Sequence, residues 1–436
     1  MMGTKKVGAS AGPLTKARLI VSQGNGIQKK FFMTRPAPTL FLGPLHRRRA
    51  CSSIGLERRG QMQKDVFILG AGASCESGVP LLNEFIDRGL RVAGRPEIGI
   101  EKLHFDRVDA ALTALNTSLY TKSNIGLKNI EDVFGLIEMG VLIKKFPGCS
   151  SPEEIEELRK SIIRFIVVTI EQTNRYPHKQ GMLTDSNGNY DEFIEVLVGP
   201  LLKQGRSVSI ITFNYDVALD FSLNSKKLEY DYSLSDSKKP PNIRLLKLHG
   251  SINWGSCPKC HSIVPIGWQE YFGSHKIPID ADGSMPETLA FKIGSTLNTR
   301  RHLGDCQVQL NDEPVIIPPT WNKTEHHRQL CAVWNHAAIE LGEAENIYII
   351  GYSMPESDMF FRYIYALGTI NLQRRLKKLW IINPMSIVRD RFETIKGMGI
   401  EQFRFIEMRF NEAIDYIARD YNLPTGPAIG FNSGRS

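Results

Sequence analysis

Short apolar runs that stop at polar residues or glycine are the feature that most constrains the fold of this chain. They occur at 66–69, 207–216, 243–250, 346–353 and 378–384. Short, nearly continuous apolar runs are typical of parallel strands that are covered on both faces. In such sheets the functional residues follow the carboxyl ends of the strands. The pattern therefore predicts an α/β protein with an open parallel sheet.

The first run leads directly into a glycine-rich loop, "GAGASCESGVP", at 70–80. Gly70 and Gly72 would let the backbone approach a pyrophosphate closely, beside the free N–H groups of a helix start. This arrangement favours a Rossmann-like fold. The dehydrogenase fingerprint requires a third glycine where Cys75 stands, so a hydride-transfer enzyme is disfavoured.

Helical patterns fill the space between the first two runs and predict a helical insertion at about 90–205. An amphipathic stretch from about Pro80 to Gly89 precedes it. Within the insertion, Ser151 is a predicted N-cap, because Pro152 follows at the first turn and Glu154 stands three residues after the serine. The sequence from Ser151 onward therefore predicts a buried structural helix.

A second, smaller insertion is expected at about 255–325, where Gly, Pro, Cys and His are frequent. We interpret it as a small Cys-containing, zinc-ribbon-like module that projects from the sheet. The folded domain is predicted to span 62–425, followed by a tail at 426–436.

The net charge of +8 belongs to the front of the chain. Residues 1–64 contain thirteen Lys or Arg and one acid, Glu57, whereas the rest of the chain has 41 bases and 45 acids. We interpret residues 1–61 as a basic, disordered extension. A transit peptide and a tail that binds nucleic acid are the alternatives. Nucleic-acid binding through the folded domain is not expected.

The cysteine count and the lengths of the apolar runs predict the cellular environment. Seven cysteines, an odd number, favour a reducing compartment over a disulfide scaffold, and the cytoplasm is the default. No apolar run approaches the roughly 18 to 20 residues that span a bilayer. We therefore expect no contact with a membrane.

The motifs at the strand ends, taken in order, resemble those of the sirtuin (silent information regulator) family. They are "GAGASCESGVP", "TFNYD", "KLHGSINW", "CPKC", "GYSM" and "IINP". Together they cover roughly residues 64–390. The resemblance implies an NAD-binding α/β domain in which NAD is consumed as a substrate.

Site residues follow from this resemblance position by position. His249 matches the catalytic histidine, whereas Asn214 and Asp216 match the residues that position the nicotinamide ribose, an attacking water and the carboxamide. NAD-binding residues are implied at Gly70, Ala71, Gly72, Ser74, Ser77, Gly351, Ser353 and Asn383. The acids of "PESD", after Ser353, are interpreted as the cap of the next helix.

The cysteine module matches the family only in part. Cys257 and Cys260 form half of a zinc ribbon, but the second Cys-x-x-Cys pair is absent, because only Cys306 is found there. The fourth ligand could be His261, His302 or Cys331, and a ribbon that has lost its metal is the alternative. A zinc ion there would be structural.

Departures from the deacylase pattern favour NAD hydrolysis to nicotinamide and ADP-ribose. Phe213 replaces the glutamine that precedes the asparagine in the deacylases, and the long helical insertion with "NIEDVF" at 129–134 resembles divergent bacterial sirtuin-like proteins. Relatives of that kind include anti-phage effectors that deplete NAD. An NAD-dependent lysine deacylase and a non-catalytic NAD or ADP-ribose sensor are the alternatives. A homo-oligomer or a trigger partner would be the means of control.

Overall fold

The computed structural model describes ten stretches of the chain, namely residues 63–119, 126–179, 182–183, 188–235, 241–267, 288–303, 306–317, 327–355, 358–370 and 375–425. The predictions for the basic extension at 1–61 and for the tail at 426–436 concern residues outside these stretches.

Fourteen strands occur within the described residues. They are β1 (Lys64–Leu69), β2 (Arg175–Lys179), β3 (Met182–Leu183), β4 (Ser207–Thr212), β5 (Tyr230–Asp231), β6 (Ile243–Lys247), β7 (Trp254–Ser256), β8 (Ile263–Pro265), β9 (Thr288–Ala290), β10 (Arg301–His302), β11 (Val308–Gln309), β12 (Asn346–Ile350), β13 (Leu376–Ile382) and β14 (Ile400–Ile406).

Seven of these strands form one sheet in the order β14-β13-β12-β1-β4-β6-β5. Every neighbouring pair in this sheet is parallel. The chain runs from β1 toward β4 and β6 on one side, then crosses back to β12 and continues to β13 and β14. The direction of winding therefore reverses at β1, which is the arrangement of a dinucleotide-binding Rossmann sheet. The predicted Rossmann-like fold class is confirmed.

Helices cover both faces of this sheet. They are α1 (Ala71–Ser74), α2 (Phe85–Ala93), α3 (Lys102–Leu119), α4 (Ile130–Ile143), α5 (Pro152–Thr173), α6 (Asn189–Glu192), α7 (Gly199–Lys203), α8 (Ala218–Ser225), α9 (His327–Glu343), α10 (Met359–Gly368), α11 (Arg389–Glu393) and α12 (Phe410–Asp420), with a π-helical turn, Phe193–Val198, between α6 and α7. None of the helices in the described part of the chain combines the length and the apolar composition that a bilayer crossing requires.

Alternate residues of β1 pack into two separate hydrophobic cores, one on each face of the sheet. Val66 and Ile68 lie in the core under α9 and α10, whereas Phe67 and Leu69 lie in the core under α12 and the 189–203 segment. All four side chains are buried. This alternation explains why the strand reads as a continuous apolar run.

A third core holds the helical insertion together. Helices α2, α3 and α4 each pack against α5, whose residues Ile162, Phe165 and Ile166 are buried. The predicted helix start is confirmed, because Ser151 Oγ accepts the Glu154 N–H at 3.3 Å while Glu154 accepts the Ser150 N–H at 2.6 Å.

The helix predicted from Pro80 to Gly89 begins later in the structure. Cys75–Ser77 forms a 3₁₀ turn that ends at Gly78, whose φ of 90° is left-handed, and α2 begins only at Phe85. The glycine-rich loop at 70–80 therefore contains a single helical turn, α1, and ends in an irregular segment that includes Val79 and Pro80.

Replacing Ser151 by Ala tests the cap of α5. We expect the free energy of unfolding to fall by about 1 kcal/mol, because one helix N–H loses its acceptor. The measurement is urea unfolding followed by circular dichroism. Ser150→Ala is the matched control, since the Ser150 side chain is exposed. Equal losses in the two variants would contradict the capping role.

Candidate active site

A cavity lies at the carboxyl ends of β1, β4, β6 and β12, where the strand order reverses. Seven of the residues predicted from the motifs line it: Ala71, Ser74, Asn214, Asp216, His249, Gly351 and Ser353. The other predicted NAD-binding residues, Gly70, Gly72, Ser77 and Asn383, are not among its lining residues. The structure thus brings residues from four strand ends around one space.

The glycines of the first loop permit contact between two backbones. A Cβ atom on Gly70 would lie 2.5 Å from Tyr352 Cα, and one on Gly72 would lie 3.0 Å from Gly351 Cα. Gly70 N–H donates to Ile350 O, and Gly72 N–H donates to Gly351 O, both at 3.0 Å. The loop after β1 and the turn after β12 therefore form one packed unit at the edge of the cavity.

Asn214 is tied to this unit by its side-chain amide. Its Nδ2 donates to Gly70 O at 2.9 Å and to Ser74 Oγ at 2.8 Å. Its Oδ1 makes no hydrogen bond among the described residues. The carbonyl oxygen of the amide is thus available to a ligand or a water in the cavity.

Tyr190 supports the same cluster, although its position in the sequence gave no sign of this. Its hydroxyl lies 2.7 Å from Ser74 Oγ and accepts from Asn214 Nδ2 at 3.4 Å. Ser74 is fully buried. Burial also raises the pKa of Tyr190 above its usual range, so this phenol stays neutral.

Asp216 has one oxygen bound by the protein and one that is not. Oδ1 accepts the Ala218 N–H at 3.0 Å, whereas Oδ2 is buried and makes no hydrogen bond to a described residue. Burial raises the pKa of this carboxyl, and the nearby Lys247 ammonium opposes the shift. An unpaired buried acceptor at a cavity wall is a suitable partner for a ligand N–H.

Below this acid, a buried ion pair fixes the loop that follows β4. Lys247 Nζ donates to Asp216 O at 2.6 Å and to Asp220 Oδ2 at 3.0 Å. Both charged side chains are 1% exposed. The sequence did not indicate this pair. Lys247 is the first residue of the "KLHGSINW" motif, but its partner Asp220 lies 27 residues earlier in the chain.

His249 reaches the cavity from a tight turn after β6. Gly250 has a φ of 82°, and a Cβ atom on it would lie 1.9 Å from Val315 O, so a larger residue would not fit. The His249 carbonyl accepts the Ile317 N–H at 2.8 Å. The residue is only 3% exposed. Phe213 packs edge-on against its imidazole, with the ring centroids 5.2 Å apart.

The helical insertion closes the other side of the cavity. Helix α4 contributes Ile130, Glu131 and Phe134, and α5 contributes Ile166 and Ile170. The Asn129 side chain caps α4 by accepting the Glu131 N–H at 3.0 Å. The "NIEDVF" segment at 129–134 therefore begins the helix that faces the motif residues.

Asn383 and Ser353 are both engaged through protein contacts. Asn383 Nδ2 donates to Tyr352 O at 3.1 Å, while Asn383 Oδ1 accepts the Met385 N–H at 2.9 Å. Arg391 donates to Ser353 O at 3.2 Å. Asn383 thus holds the turn after β12 from its outer side.

Four possible metal ligands meet in the small module. Their donor atoms lie within 4.8 Å of one another, and the residues are Cys257, Cys260, His302 and Cys306. Three thiolates and one imidazole at such distances fit tetrahedral zinc. Hydrogen bonding with Ser262 lowers the pKa of the Cys260 thiol to about 6, which favours the thiolate that binds metal.

The fourth possible ligand in this cluster is His302, one of three candidates from the sequence. It comes from β10, which pairs with β11, whereas Cys257 and Cys260 follow β7 of a separate hairpin, β7 and β8. Cys306 lies between β10 and β11. His261 and Cys331 are not part of the cluster. The module thus consists of two hairpins that contribute residues to the same cluster of possible metal ligands.

The chain is similar to solved structures of Sir2 proteins. A Sir2 homologue in complex with NAD is 15% identical, with a TM-score of 0.38, and the match covers 83% of this chain and 90% of that one. Sir2 with a p53 peptide and NAD is 14% identical, with a TM-score of 0.36 and coverage of 83% and 95%. Sir2 bound to an acetylated peptide is 14% identical, with a TM-score of 0.35 and coverage of 83% and 94%.

No protein-family model matches the chain, and no curated protein matches it.

Replacing Lys247 by Met tests the buried ion pair. We expect the free energy of unfolding to fall by about 3 to 5 kcal/mol, because Asp220 is left buried without its counter-charge. The double variant Lys247→Met/Asp220→Asn removes both charges and should lose clearly less. Denaturant unfolding measures each value. A loss in the double variant as large as the loss in Lys247→Met would contradict the pairing.

Metal analysis tests the ligand cluster. We expect about one zinc ion per chain by mass spectrometry of the purified protein, and loss of that zinc in Cys260→Ser and Cys306→Ser. Cys331→Ser, which changes an exposed cysteine on α9, is the matched control and should retain the metal. Equal metal content in all three variants would contradict the site.

Proposed function

We propose that this cavity binds NAD and breaks its nicotinamide–ribose bond, with water as the acceptor, so that the protein is an NAD glycohydrolase. One observation carries the proposal. Asn214, Asp216 and His249, which follow β4 and β6, line one cavity together with Gly351 and Ser353, which follow β12.

The site of binding follows from the topology of the sheet. In open α/β sheets, ligands bind outside the carboxyl ends of the strands where the winding direction reverses. Here that point lies at β1, between β12 and β4. The adenosine half of NAD would lie toward Gly351 and Ser353, and the nicotinamide half toward Asp216 and His249.

Two oxygen atoms in the cavity are available to accept hydrogen bonds from a ligand. Asp216 Oδ2 is a buried acceptor without a partner among the described residues, and it suits the N–H of the nicotinamide carboxamide. Asn214 Oδ1 can accept from a ribose hydroxyl or from a water. These two oxygens would orient the nicotinamide riboside relative to His249.

The charge of the cavity suits a reaction that develops positive charge on the sugar. Three carboxyl side chains line it, those of Glu131, Asp216 and Asp358, and no lysine or arginine does so among the described residues. A fixed negative field stabilises an oxocarbenium-like state. The same field offers little attraction to the pyrophosphate.

The proposed reaction balances without a further reagent. The bond between ribose C1′ and the ring nitrogen breaks, and its electron pair stays on nicotinamide, which leaves as a neutral molecule. A water oxygen bonds to C1′ and passes one proton to His249, which releases it to solvent. The products are nicotinamide, ADP-ribose and one proton.

Water is favoured over an acyl-lysine because the polar groups of the site are buried among apolar side chains. Ile130 and Phe134 of α4 and Ile166 of α5 line the cavity together with the motif residues. His249 and Asp216 are each 3% exposed. A small acceptor reaches such a site more easily than a side chain of another protein.

The test is nicotinamide release from NAD by the full chain, with and without an acetyl-lysine peptide. We expect release without peptide, and a fall of at least about 10²-fold in His249→Ala and in Asn214→Ala. His336→Ala, on α9, is a matched control that should retain activity, because His336 does not line the cavity.

The other outcomes separate the alternatives. Release only with peptide would make the protein a deacylase, and binding of NAD without release in either condition would make it a sensor. Release that is unaffected by both substitutions would place the chemistry elsewhere and contradict the proposal.

A further inference from the structure

Asp358 occupies a helix cap position but does not act as a cap. It directly precedes α10, and its side chain makes no capping hydrogen bond. The interpretation of this acid as a structural cap is therefore wrong for its side chain. The residue is 1% exposed and lines the cavity. A carboxyl group buried at this cost is expected to have specific partners.

The carboxyl group instead connects two residues of the site. Tyr352 Oη donates to Asp358 Oδ2 at 2.5 Å. On the other oxygen, Oδ1 lies 3.4 Å from His249 Nε2, which is a long hydrogen bond. The Asp358 N–H donates to Pro355 O at 3.0 Å and fixes the backbone. Asp358 thus lies between the tyrosine and the imidazole.

Aromatic packing holds this arrangement in place. The Tyr352 ring stacks on Phe213 with a centroid separation of 4.1 Å and an interplanar angle of 5°. Phe361 packs edge-on against both rings, at 5.1 Å from Phe213 and 5.5 Å from Tyr352. Phe213 in turn packs edge-on against His249. The phenol that donates to Asp358 therefore has little freedom to turn away.

We infer that Asp358 is a positioning residue for His249. A carboxylate only accepts, so Nε2 must carry the proton that it shares with Asp358 Oδ1. This places the lone pair of the neutral imidazole on Nδ1. The ring is then held in one tautomer and one orientation by the chain Tyr352, Asp358, His249.

The consequence of this positioning for catalysis rests on the proposed function. When Nδ1 takes the proton of the attacking water, the ring becomes an imidazolium that is hydrogen-bonded to Asp358 through Nε2. The carboxylate stays ionised and stabilises that cation. The proton later leaves from Nδ1 to solvent, so Asp358 itself neither gains nor loses one.

Asp358→Asn tests the inference with little change in shape. We expect kcat for nicotinamide release to fall about 10- to 100-fold while KM for NAD changes less than about 3-fold, because the base is affected and the binding groups are not. Tyr352→Phe, which removes the hydroxyl donor to Asp358, should lower kcat by a smaller factor. Asp390→Asn, at an exposed acid in the first turn of α11, is the matched control.

A second measurement reads the imidazole directly. In the ¹⁵N spectrum of labelled histidine, the signals of His249 are assigned by their loss in His249→Gln. We expect the tautomer with the proton on Nε2 in the unaltered protein, and loss of this single form in Asp358→Asn. The protonated Nδ1 form in the unaltered protein would overturn the inference.

The two measurements distinguish failure of the inference from failure of the proposed function. If the full chain releases nicotinamide and Asp358→Asn retains the same kcat, the inference fails and the function stands. If no release occurs under any condition, the function fails, and the tautomer still decides whether Asp358 positions His249. A parallel rise in KM with unchanged kcat would make Asp358 a substrate-binding residue and overturn the inference.

Discussion

The contact between the loop after β1 and the turn after β12 is the constraint on which the rest of the site depends. A Cβ atom on Gly351, whose φ is 64°, would lie 2.7 Å from Ala73 N. This contact joins the two central strands at the point where the winding of the sheet reverses. Asn214 then binds Gly70 O from one side, and Asn383 binds Tyr352 O from the other. Four strand ends are thereby fixed relative to one another.

Burial and charge determine how the groups at the carboxyl ends of the strands can act on a ligand. The helical insertion contributes apolar side chains to the cavity, and the carboxyl groups of Asp216 and Asp358 are buried. Charged groups in such surroundings act on a ligand more strongly than they would in solvent. The buried pair of Lys247 and Asp220 supports the same edge from below, beneath the Asp216 backbone. The amino ends of the strands have ion pairs of their own, such as that between Arg206 and Asp65.

The sequence predicted the parts of the fold that are buried on both faces. Five apolar runs correspond to β1, β4, β6, β12 and β13. The sequence did not reveal β14, because this strand lies at the edge of the sheet, where its residues are half-buried or exposed and form no continuous apolar run. The start of α2 was misplaced because Gly78 turns the chain before the helix can begin.

The candidate site was predictable only where residues belong to motifs. Asn214, Asp216 and His249 stand in motifs at strand ends, and the structure places them together. Asp358, Tyr190 and Lys247 contribute through contacts that depend on the tertiary structure, and their local sequences resemble a cap, a helix and a strand. Sequence spacing carries no information on such contacts, which involve residues far apart in the chain.

Hydrogen–deuterium exchange tests the central claim, a single NAD site at the reversal point of the sheet, most directly. The comparison uses His249→Ala, in which we expect turnover to be strongly reduced, with and without NAD. We expect slower exchange on NAD addition in the loops at 70–78, 213–217 and 351–355. Protection confined to the amino ends of the strands, or no protection at saturating NAD, would contradict an NAD site at this point.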